Sequence, residues 1–575
     1  LRQRHERRAS RSIIALQAAL RRAVHSDSFA FVRRPIYATN FPSADEKSGA
    51  GVARVVRSIA IVGYAPTIED HSTSLRSGRD VATYSNENGC TFSAYDNQHL
   101  ENESMVSGIT HNQPLRPVMT LRPPNDIMYE ESFWDELADA GVKEVALQWL
   151  CLLDDQAHKD EGNIYPQPED GHPRGLSAMG DERVKRVPTA AFNPTPEYYD
   201  GLSWKPPTMP DHLVAQAEKL SAALDMGRSK GFTIYTVDDK GYFLHGGFGS
   251  GKLDLSNCTP SFTDPSMPAM TVARARDTAK HFPQVTGLLL DGPDFKWEIQ
   301  PGHRDDLWVE PIDTPENREF ATNNGMDFQK VLDGREHFKE FLHSFNPEYA
   351  RNFISKAPGA VASHDWWRDH PKFNDWYSFK QAAVEWSVSS SYHGIKEHLP
   401  DLQVGNSSRL PFAEPLTGHN TVRKQKYIDF QQPKQYWWSG GVAGFRGTIV
   451  NWVDTLIDWN DGLDQDLASE LFGAMFDYPL AASYPISDYN GEATDEWFTT
   501  AVRDQTAKMI ANSGGQQRYM PWVGLEHFGS NWLTASELDR MLAEMQSQGA
   551  THYCYFIYNS MKPEIWDVIR KYSTG

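Results

Sequence analysis

The amino-acid sequence predicts an α/β fold, a (β/α)8 TIM barrel with long loop insertions and an N-terminal extension. Two observations support this prediction: a short apolar run, a loop and an amphipathic helix follow one another repeatedly, and eight such apolar runs occur after residue 110. Alternating strands and helices predict a parallel sheet, and eight such units close into a barrel. No repeat of about 20–50 residues is present, which argues against solenoids and propellers. A doubly wound open sheet is the structural alternative.

The eight predicted strands are short runs rich in β-branched and aromatic residues, bounded by glycine, proline or polar residues. In chain order they span residues 117–122, 142–149, 232–237, 285–290, 402–406, 447–453, 519–525 and 551–557. The fourth, VTGLLL, runs directly into Asp291, and the seventh contains the apolar segment WVGL immediately before Glu526.

Apolar residues recur at helical spacing between most of these strands. The predicted helices span residues 132–140, 211–230, 271–281, 374–399, 464–477, 534–549 and 563–571. Thr534 and Glu537 have the spacing of a capping box, and Gly141 and Gly231 stand where helices commonly end. Long polar loops interrupt the pattern at about residues 154–210 and 299–365, as is usual when barrels of this type acquire insertions.

The composition is that of a globular protein. Of 575 residues, 39% are hydrophobic and 23% are charged, which is typical of a packed chain rather than a disordered one. The formal net charge of −20 disfavours binding to nucleic acid over most of the surface. No apolar run approaches the ~18 residues that a membrane-spanning helix requires, so no membrane span is predicted.

The sequence contains no motif for a cofactor. None of the four cysteines lies in a CxxC pair, and the histidines form no HExxH motif, so neither a cofactor nor a metal site is predicted. Three N-glycosylation sequons, which begin at Asn102, Asn257 and Asn406, favour an extracellular or periplasmic location.

The chain divides into three predicted regions. Residues 1–50 are rich in Arg and Ser and form a basic N-terminal extension, expected to be disordered or to act in targeting. Residues 51–110 lack the strand–helix pattern and are expected to form an accessory segment packed on the barrel. Residues 111–575 are expected to form the catalytic barrel.

Polar and aromatic residues follow the predicted strands, where the active sites of such barrels lie. The residues at these strand ends are Trp149, Asp238, Asp291, Asp294, Trp297, Glu298, Asn406, Asn451, Trp452, Trp522, Glu526, His527 and Tyr558. Hydrolysis of a glycosidic bond requires two carboxylates across the scissile bond, polar groups for hydroxyls and aromatic faces for sugar rings. The sequence therefore predicts a glycoside hydrolase that cleaves glycosidic bonds of an oligo- or polysaccharide substrate.

Three of these carboxylates are the main candidates for catalysis. Glu526 is expected to be the nucleophile or base, because a carboxylate directly after an apolar strand is unfavourable without a task or a partner. Asp291 and Asp294 compete for the role of acid, with Glu298 as the remaining candidate. The expected substrate-binding residues are Asp238, Trp149, Trp297, Asn406, Asn451, Trp452, Trp522, His527 and Tyr558.

The helix–strand unit of residues 375–405, DWYSFKQAAVEWSVSSSYHGIKEHLPDLQVG, resembles the equivalent unit of barrel glycoside hydrolases. An acid after the fourth strand and Glu526 after the seventh are similar to the pattern of the large retaining glycosidase clan. This resemblance covers about residues 115–572 and implies an acid/base after the fourth strand and a nucleophile after the seventh. Where that clan typically has Asn-Glu, this chain has Asp291-Gly-Pro-Asp294, so retention and inversion both remain open.

Two other functions remain open at the level of sequence. A metal-dependent barrel enzyme, such as a sugar isomerase or deacetylase, would use a site assembled from strand ends, with Asp238, His245 and Asp291 as conceivable ligands. A non-catalytic carbohydrate-binding barrel would keep the aromatic residues and lose an acid. Loss of activity in a chelator would favour the first alternative, and binding of a polysaccharide without cleavage would favour the second.

Overall fold

The chain divides into two units, residues 1–101 and 102–575. The computed structural model describes residues 83–85, 91–93, 113–121, 126–147, 150–154, 187–202, 208–239, 262–295, 297, 299, 304–308, 310–356, 358–436, 445–478, 493–524, 533–556, 558 and 561–574. In the first unit, Thr83–Ser85 pairs with Thr91–Ser93 as an antiparallel two-stranded ribbon. The basic extension and the packing of residues 51–110 on the barrel stay predictions.

Eight parallel strands in the second unit form a closed barrel, which confirms the predicted (β/α)8 fold. In chain order the strands are β1 (Arg116–Leu121), β2 (Glu144–Leu147), β3 (Thr233–Asp239), β4 (Gly287–Asp291), β5 (Gln403–Ser408), β6 (Phe430–Gln435), β7 (Trp522–Gly524) and β8 (His552–Phe556). Each strand pairs with the next one along the chain, and β8 returns to pair with β1, with Cys554 opposite Val118. This last pairing satisfies the backbone groups that an open sheet would leave at its edges.

Helices connect the strands and occupy the long loops between them. They are α1 (Glu131–Asp139), α2 (Val214–Ser229), α3 (Ser266–His281), α4 (Pro315–Asn323), α5 (Phe328–Leu342), α6 (Pro347–Lys356), α7 (His364–Asp369), α8 (Pro371–His398), α9 (Glu414–Thr417), α10 (Thr421–Lys424), α11 (Phe445–Trp459), α12 (Gln465–Phe476), α13 (Asp495–Trp497), α14 (Arg503–Asn512), α15 (Ala535–Ser547) and α16 (Pro563–Ser573). The predicted capping box of α15 is confirmed, with the Thr534 side chain bound to the Glu537 backbone and the Glu537 side chain to the Thr534 backbone. Among the described helices, none has an apolar stretch long enough to cross a bilayer.

Seven of the predicted strands are confirmed to within a few residues, but the sixth is wrong. Residues 447–453 belong to α11, and the true sixth strand, β6, precedes it with the sequence FQQPKQ. The β-branched residues of GTIVNWV are typical of a strand, yet the buried positions Ile449, Trp452, Val453 and Leu456 follow helical spacing. In contrast, β6 has no β-branched residue, and its buried residues include Gln431, Gln432 and Gln435, so its sequence lacks the usual composition of a strand.

Large and small residues alternate between neighbouring strands inside the barrel. A Cβ atom on Gly287 would lie 2.4 Å from the Tyr235 ring, and one on Gly405 would lie 2.2 Å from the Phe430 ring. The two aromatic rings meet edge to face, with centroids 5.7 Å apart. The barrel interior is therefore filled by side chains below its carboxyl-terminal end, which leaves polar residues at that end available for a site.

Candidate active site

Asp291, the last residue of β4, contacts two hydrogen-bond donors from neighbouring strands. It lies two residues after Leu289, which belongs to the apolar cluster inside the barrel, so its side chain faces the same interior. Ser407 of β5 donates a hydrogen bond of 2.5 Å to Asp291 Oδ1. Lys434 Nζ of β6 lies 2.8 Å from the same oxygen. The Lys434 side chain is 16% exposed and the Asp291 side chain is 12% exposed. A nearly buried ion pair thus lies at the carboxyl-terminal end of the barrel.

The hydroxyl group of Ser407 is fully used in this arrangement. Its oxygen accepts a hydrogen bond of 3.2 Å from the Gly292 backbone N–H, and its single proton goes to Asp291. The ammonium of Lys434 and this hydroxyl are both hydrogen-bond donors, so Asp291 Oδ1 accepts from two side chains.

Asp294 has a cationic partner of its own. Arg409 Nε donates a hydrogen bond of 2.8 Å to Asp294 Oδ2, and Arg409 stands two residues after Ser407. The guanidinium carbon of Arg409 also lies 5.9 Å from the centre of the Trp297 ring. The carboxyl-terminal end of β5 and the residue after it therefore contact both candidate acids, Asp291 and Asp294.

Asn406 lies on the opposite face of β5 from Ser407 and is fully buried. Its amide donates to the backbone oxygens of Leu290, at 3.1 Å, and Gly292, at 2.8 Å. Its carbonyl oxygen accepts from Lys424 Nζ at 2.8 Å. Asn406 therefore fixes the end of β4 rather than facing the barrel interior, which differs from its predicted position in a substrate site. In the folded chain its sequon is also inaccessible to a glycosyltransferase.

Lys424 and His419 continue this network behind the barrel wall. Burial lowers the pKa of the Lys424 ammonium to about 8, although carboxylates such as Glu414 oppose the effect. Burial, and then the charge of Lys424, lower the pKa of His419 well below its usual range, so the imidazole is neutral. A neutral His419 accepts a hydrogen bond from Lys424 at Nδ1. The network therefore supports the β4 and β5 ends from the outside.

Asp238 faces away from the barrel interior, contrary to its predicted substrate-binding position. Its neighbour Val237 belongs to the interior cluster, and the carboxylate of Asp238 forms an ion pair with Arg274 of α3. Burial raises the pKa of Asp238, whereas the charge of Arg274 acts in the opposite direction. Because Asp238 and Asp291 face opposite sides of the wall, they are poorly placed to share the metal ion of the alternative hypothesis. The next residue, Asp239, pairs in register with Asp291.

The described tryptophans of the predicted site are buried rather than exposed. Trp297, Trp452 and Trp522 are 3%, 0% and 1% exposed. Trp522 faces the barrel interior, where its ring stacks on Phe556 and lies 5.6 Å from Lys434 Nζ. Trp452 donates a hydrogen bond of 3.0 Å to the Trp297 backbone oxygen. These rings therefore stabilise the walls around the ion pairs.

Three further predicted residues lie on helices or pack against them. Asn451 and Trp452 are on α11, because the sixth strand was wrongly placed, so neither stands at a strand end. Tyr558 is buried and packs its ring edge to face on Phe133 of α1, and its hydroxyl donates to Glu136 Oε2 at 3.2 Å. Tyr558 is thus directed towards a helix of the outer layer.

Trp149, Glu298, Glu526 and His527 lie outside the described residues, and their roles stay predictions. The site also contains residues that the sequence did not single out, namely Ser407, Arg409 and Lys434. Ser407 and Arg409 follow Asn406 directly, so the end of the fifth strand could have pointed to them. For Lys434 no such signal existed, because its strand was placed elsewhere.

Comparison with known proteins gives similarity in structure alone. No model of a protein family matches the sequence, and no curated protein is significantly similar to it. Similar solved structures include the PgaB (BpsB) glycoside hydrolase domain from Bordetella bronchiseptica, with 12% identity and a TM-score of 0.40 over 80% of this chain and 98% of that one. The catalytic domain of a β-amylase from Paenibacillus polymyxa has 8% identity and a TM-score of 0.38 over the same shares. A β-galactosidase from the psychrophilic Marinomonas ef1 has 10% identity and a TM-score of 0.37 over 80% of this chain and 59% of that one. At these values the fold assignment rests on the strand pairing itself.

Proposed function

We propose that this protein is a glycoside hydrolase that cleaves glycosidic bonds of an oligo- or polysaccharide. The observation that supports this function best is the nearly buried carboxylate of Asp291 at the carboxyl-terminal end of β4, facing the barrel interior. This end is where barrel enzymes bind their substrates. A charged side chain is costly to bury without a partner or a function, and hydrolysis of a glycosidic bond uses carboxylates beside the scissile bond.

A second carboxylate is needed to complete the reaction. Glu526 comes two residues after the end of β7 in the sequence, so we expect it near the same end of the barrel as Asp291. Asp294 is the other candidate acid that the structure describes, but its ion pair with Arg409 suits it to orienting the loops after β4 and β5. We therefore propose Asp291 and Glu526 as the catalytic pair.

The first prediction concerns these two residues. We expect Glu526→Gln and Asp291→Asn each to lower turnover of a responsive aryl glycoside with a poor leaving group by at least about 100-fold, since each removes one of the two groups that the reaction uses. Release of the aryl group measures turnover across a panel of sugars. Asp401→Asn is the matched control, because Asp401 is exposed on the loop before β5.

Thermal melting of each variant separates loss of chemistry from loss of fold. We expect all three variants to melt within a few degrees of the parent protein. Near-normal turnover by Asp291→Asn or by Glu526→Gln would show that the proposed pair is wrong.

A further inference from the structure

We propose that Asp291 is the ionised nucleophile of this reaction, that Lys434 and Ser407 position it, and that another residue donates the proton. This inference rests on the proposed function and reverses the roles that the resemblance to retaining glycosidases implies. It assigns the acid after the fourth strand to attack on the anomeric carbon. The two partner residues have no role in the sequence-based scheme.

The geometry of the carboxylate supports this assignment. Lys434 and Ser407 both contact Oδ1, at 2.8 and 2.5 Å. Within the described part of the chain, no group donates a hydrogen bond to Oδ2. One oxygen is thus held in place by two donors, whereas the other is left for a bound substrate. A nucleophilic carboxylate needs one fixed oxygen and one free oxygen for the attack.

The same contacts are unsuited to a general acid. A general acid must donate a proton to the leaving oxygen, whereas both partners of Asp291 are donors that hold its carboxylate as an acceptor. Among the side chains that the structure describes, the charged groups near Asp291 are Lys434 on β6 and the Asp294–Arg409 pair after β4 and β5. Asp294 is equally unsuited, because the guanidinium of Arg409 stays charged at all working pH values.

The reaction then proceeds in two balanced steps. Asp291 Oδ2 attacks the anomeric carbon as the bond to the leaving oxygen breaks, and the leaving oxygen keeps the electron pair and takes a proton from the separate acid. In the resulting glycosyl ester, Oδ1 becomes a carbonyl oxygen that still accepts hydrogen bonds from Lys434 and Ser407. Water then attacks the anomeric carbon and returns a proton to the acid, and Asp291 leaves as a carboxylate.

Covalent trapping tests the nucleophile directly. The full chain is incubated with a 2-deoxy-2-fluoroglycosyl fluoride of the sugar that it hydrolyses, and the digested protein is analysed by mass spectrometry. We expect the peptide that contains Asp291 to gain the mass of one fluorosugar. We also expect Asp291→Asn to lose activity on activated aryl glycosides, which a missing general acid would leave nearly intact in the first step.

The pH profile tests the positioning residues. We expect Lys434→Met to move the acidic limb of kcat/KM to higher pH by about one pH unit, because it removes the cation beside the nucleophile. Lys434→Arg should keep the acidic limb of kcat/KM close to its original pH. Ser407→Ala should shift this limb to higher pH by a smaller amount than Lys434→Met does. Lys426→Met is the matched control, since that lysine is 64% exposed. A purely structural role for Lys434 would lower activity without moving the limb.

The outcomes distinguish this inference from the proposed function. Three results would overturn the assignment while leaving the protein a glycoside hydrolase. They are a fluorosugar attached to Glu526, a product of inverted configuration, and a pH profile of kcat/KM whose acidic limb is unchanged in Lys434→Met. Failure to hydrolyse any glycoside or polysaccharide in the panel would contradict the proposed function itself, and with it this assignment. A fluorosugar attached to Asp291, together with a shifted acidic limb in Lys434→Met, would support both the proposed function and the assignment of the nucleophile.

Discussion

Consecutive residues of β5 act on opposite sides of the barrel wall. Asn406 binds backbone oxygens of the β4 end from outside, and Ser407 binds the Asp291 side chain from inside. Because strand side chains alternate between faces, one short strand can fix both the backbone and the carboxylate of its neighbour. The position of Asp291 therefore depends on β5 as much as on β4.

A second group of charged residues lies at the other end of the barrel and gives a prediction about pH. His552 is buried beside the ion pair of Arg116 with Glu144, and burial and then the charge of Arg116 lower its pKa to about 4. In the unfolded chain this histidine takes up a proton near pH 6.5, whereas in the folded chain it does so only near pH 4. We therefore expect the free energy of unfolding to fall by about 3 kcal/mol as the pH falls from about 6.5 to about 4.

Denaturant titrations at several pH values measure this effect. His552→Gln cannot take up a proton, so we expect the slope in this pH range to become flatter by roughly the same amount. His398→Gln is the control, because His398 is exposed near the end of α8 and should leave the slope unchanged. An equal slope in His552→Gln and the parent protein would contradict the prediction.

At the scale of elements, strands that are apolar along their length were predictable from the sequence, and β6 was not. The runs that became β4 and β8 are buried on both faces, so their composition alone marks them. In β6 the buried residues include Gln431, Gln432 and Gln435, which resemble loop residues when the partners that surround them are unknown. The helical spacing of the apolar residues in α11 was the one signal against a strand at residues 447–453. It would have placed the sixth strand earlier in the sequence, before this helix.

The candidate site followed the same rule. Asp291 was predictable because it ends a clearly apolar strand, whereas Lys434 was missed together with its strand. The direction of Asp238 was also missed, since a position at a strand end does not say which side chain faces the interior until the register is known. Register comes from pairing between strands, which the sequence of one strand does not contain.

The alternation of glycine and aromatic residues inside the barrel leads to a prediction at this scale. We expect Gly405→Ala to lower the free energy of unfolding by about 1–3 kcal/mol, because the new methyl group would overlap the Phe430 ring on the neighbouring strand. In a Phe430→Leu background the same change should cost less, since the overlapping ring atoms are gone. Chemical denaturation of the four proteins in this double-mutant cycle measures the coupling. Additive effects would show that the two positions do not share this space.

At the scale of the whole molecule, the barrel is built from one continuous part of the chain. All eight strands lie between residues 116 and 556, and the closing contact joins β8 to β1. The segment after β8 returns to the start of the barrel, where the Leu115 backbone N–H donates to the Tyr572 oxygen at 2.8 Å. Every backbone pairing of the barrel is therefore made within the second unit.

This organisation predicts that residues 1–101 are dispensable for folding. We expect a chain of residues 102–575 to unfold in one cooperative transition, with a melting temperature within a few degrees of the full chain, because it keeps every strand pairing of the barrel. A chain of residues 122–575 is the matched control: it lacks β1, so β2 and β8 lose a partner, and we expect it to aggregate or to melt without a sharp transition. Calorimetry and circular dichroism of the three proteins make the comparison. If residues 102–575 behave like residues 122–575, residues 1–101 are needed for the barrel to fold, and the prediction that residues 51–110 form only an accessory segment is wrong.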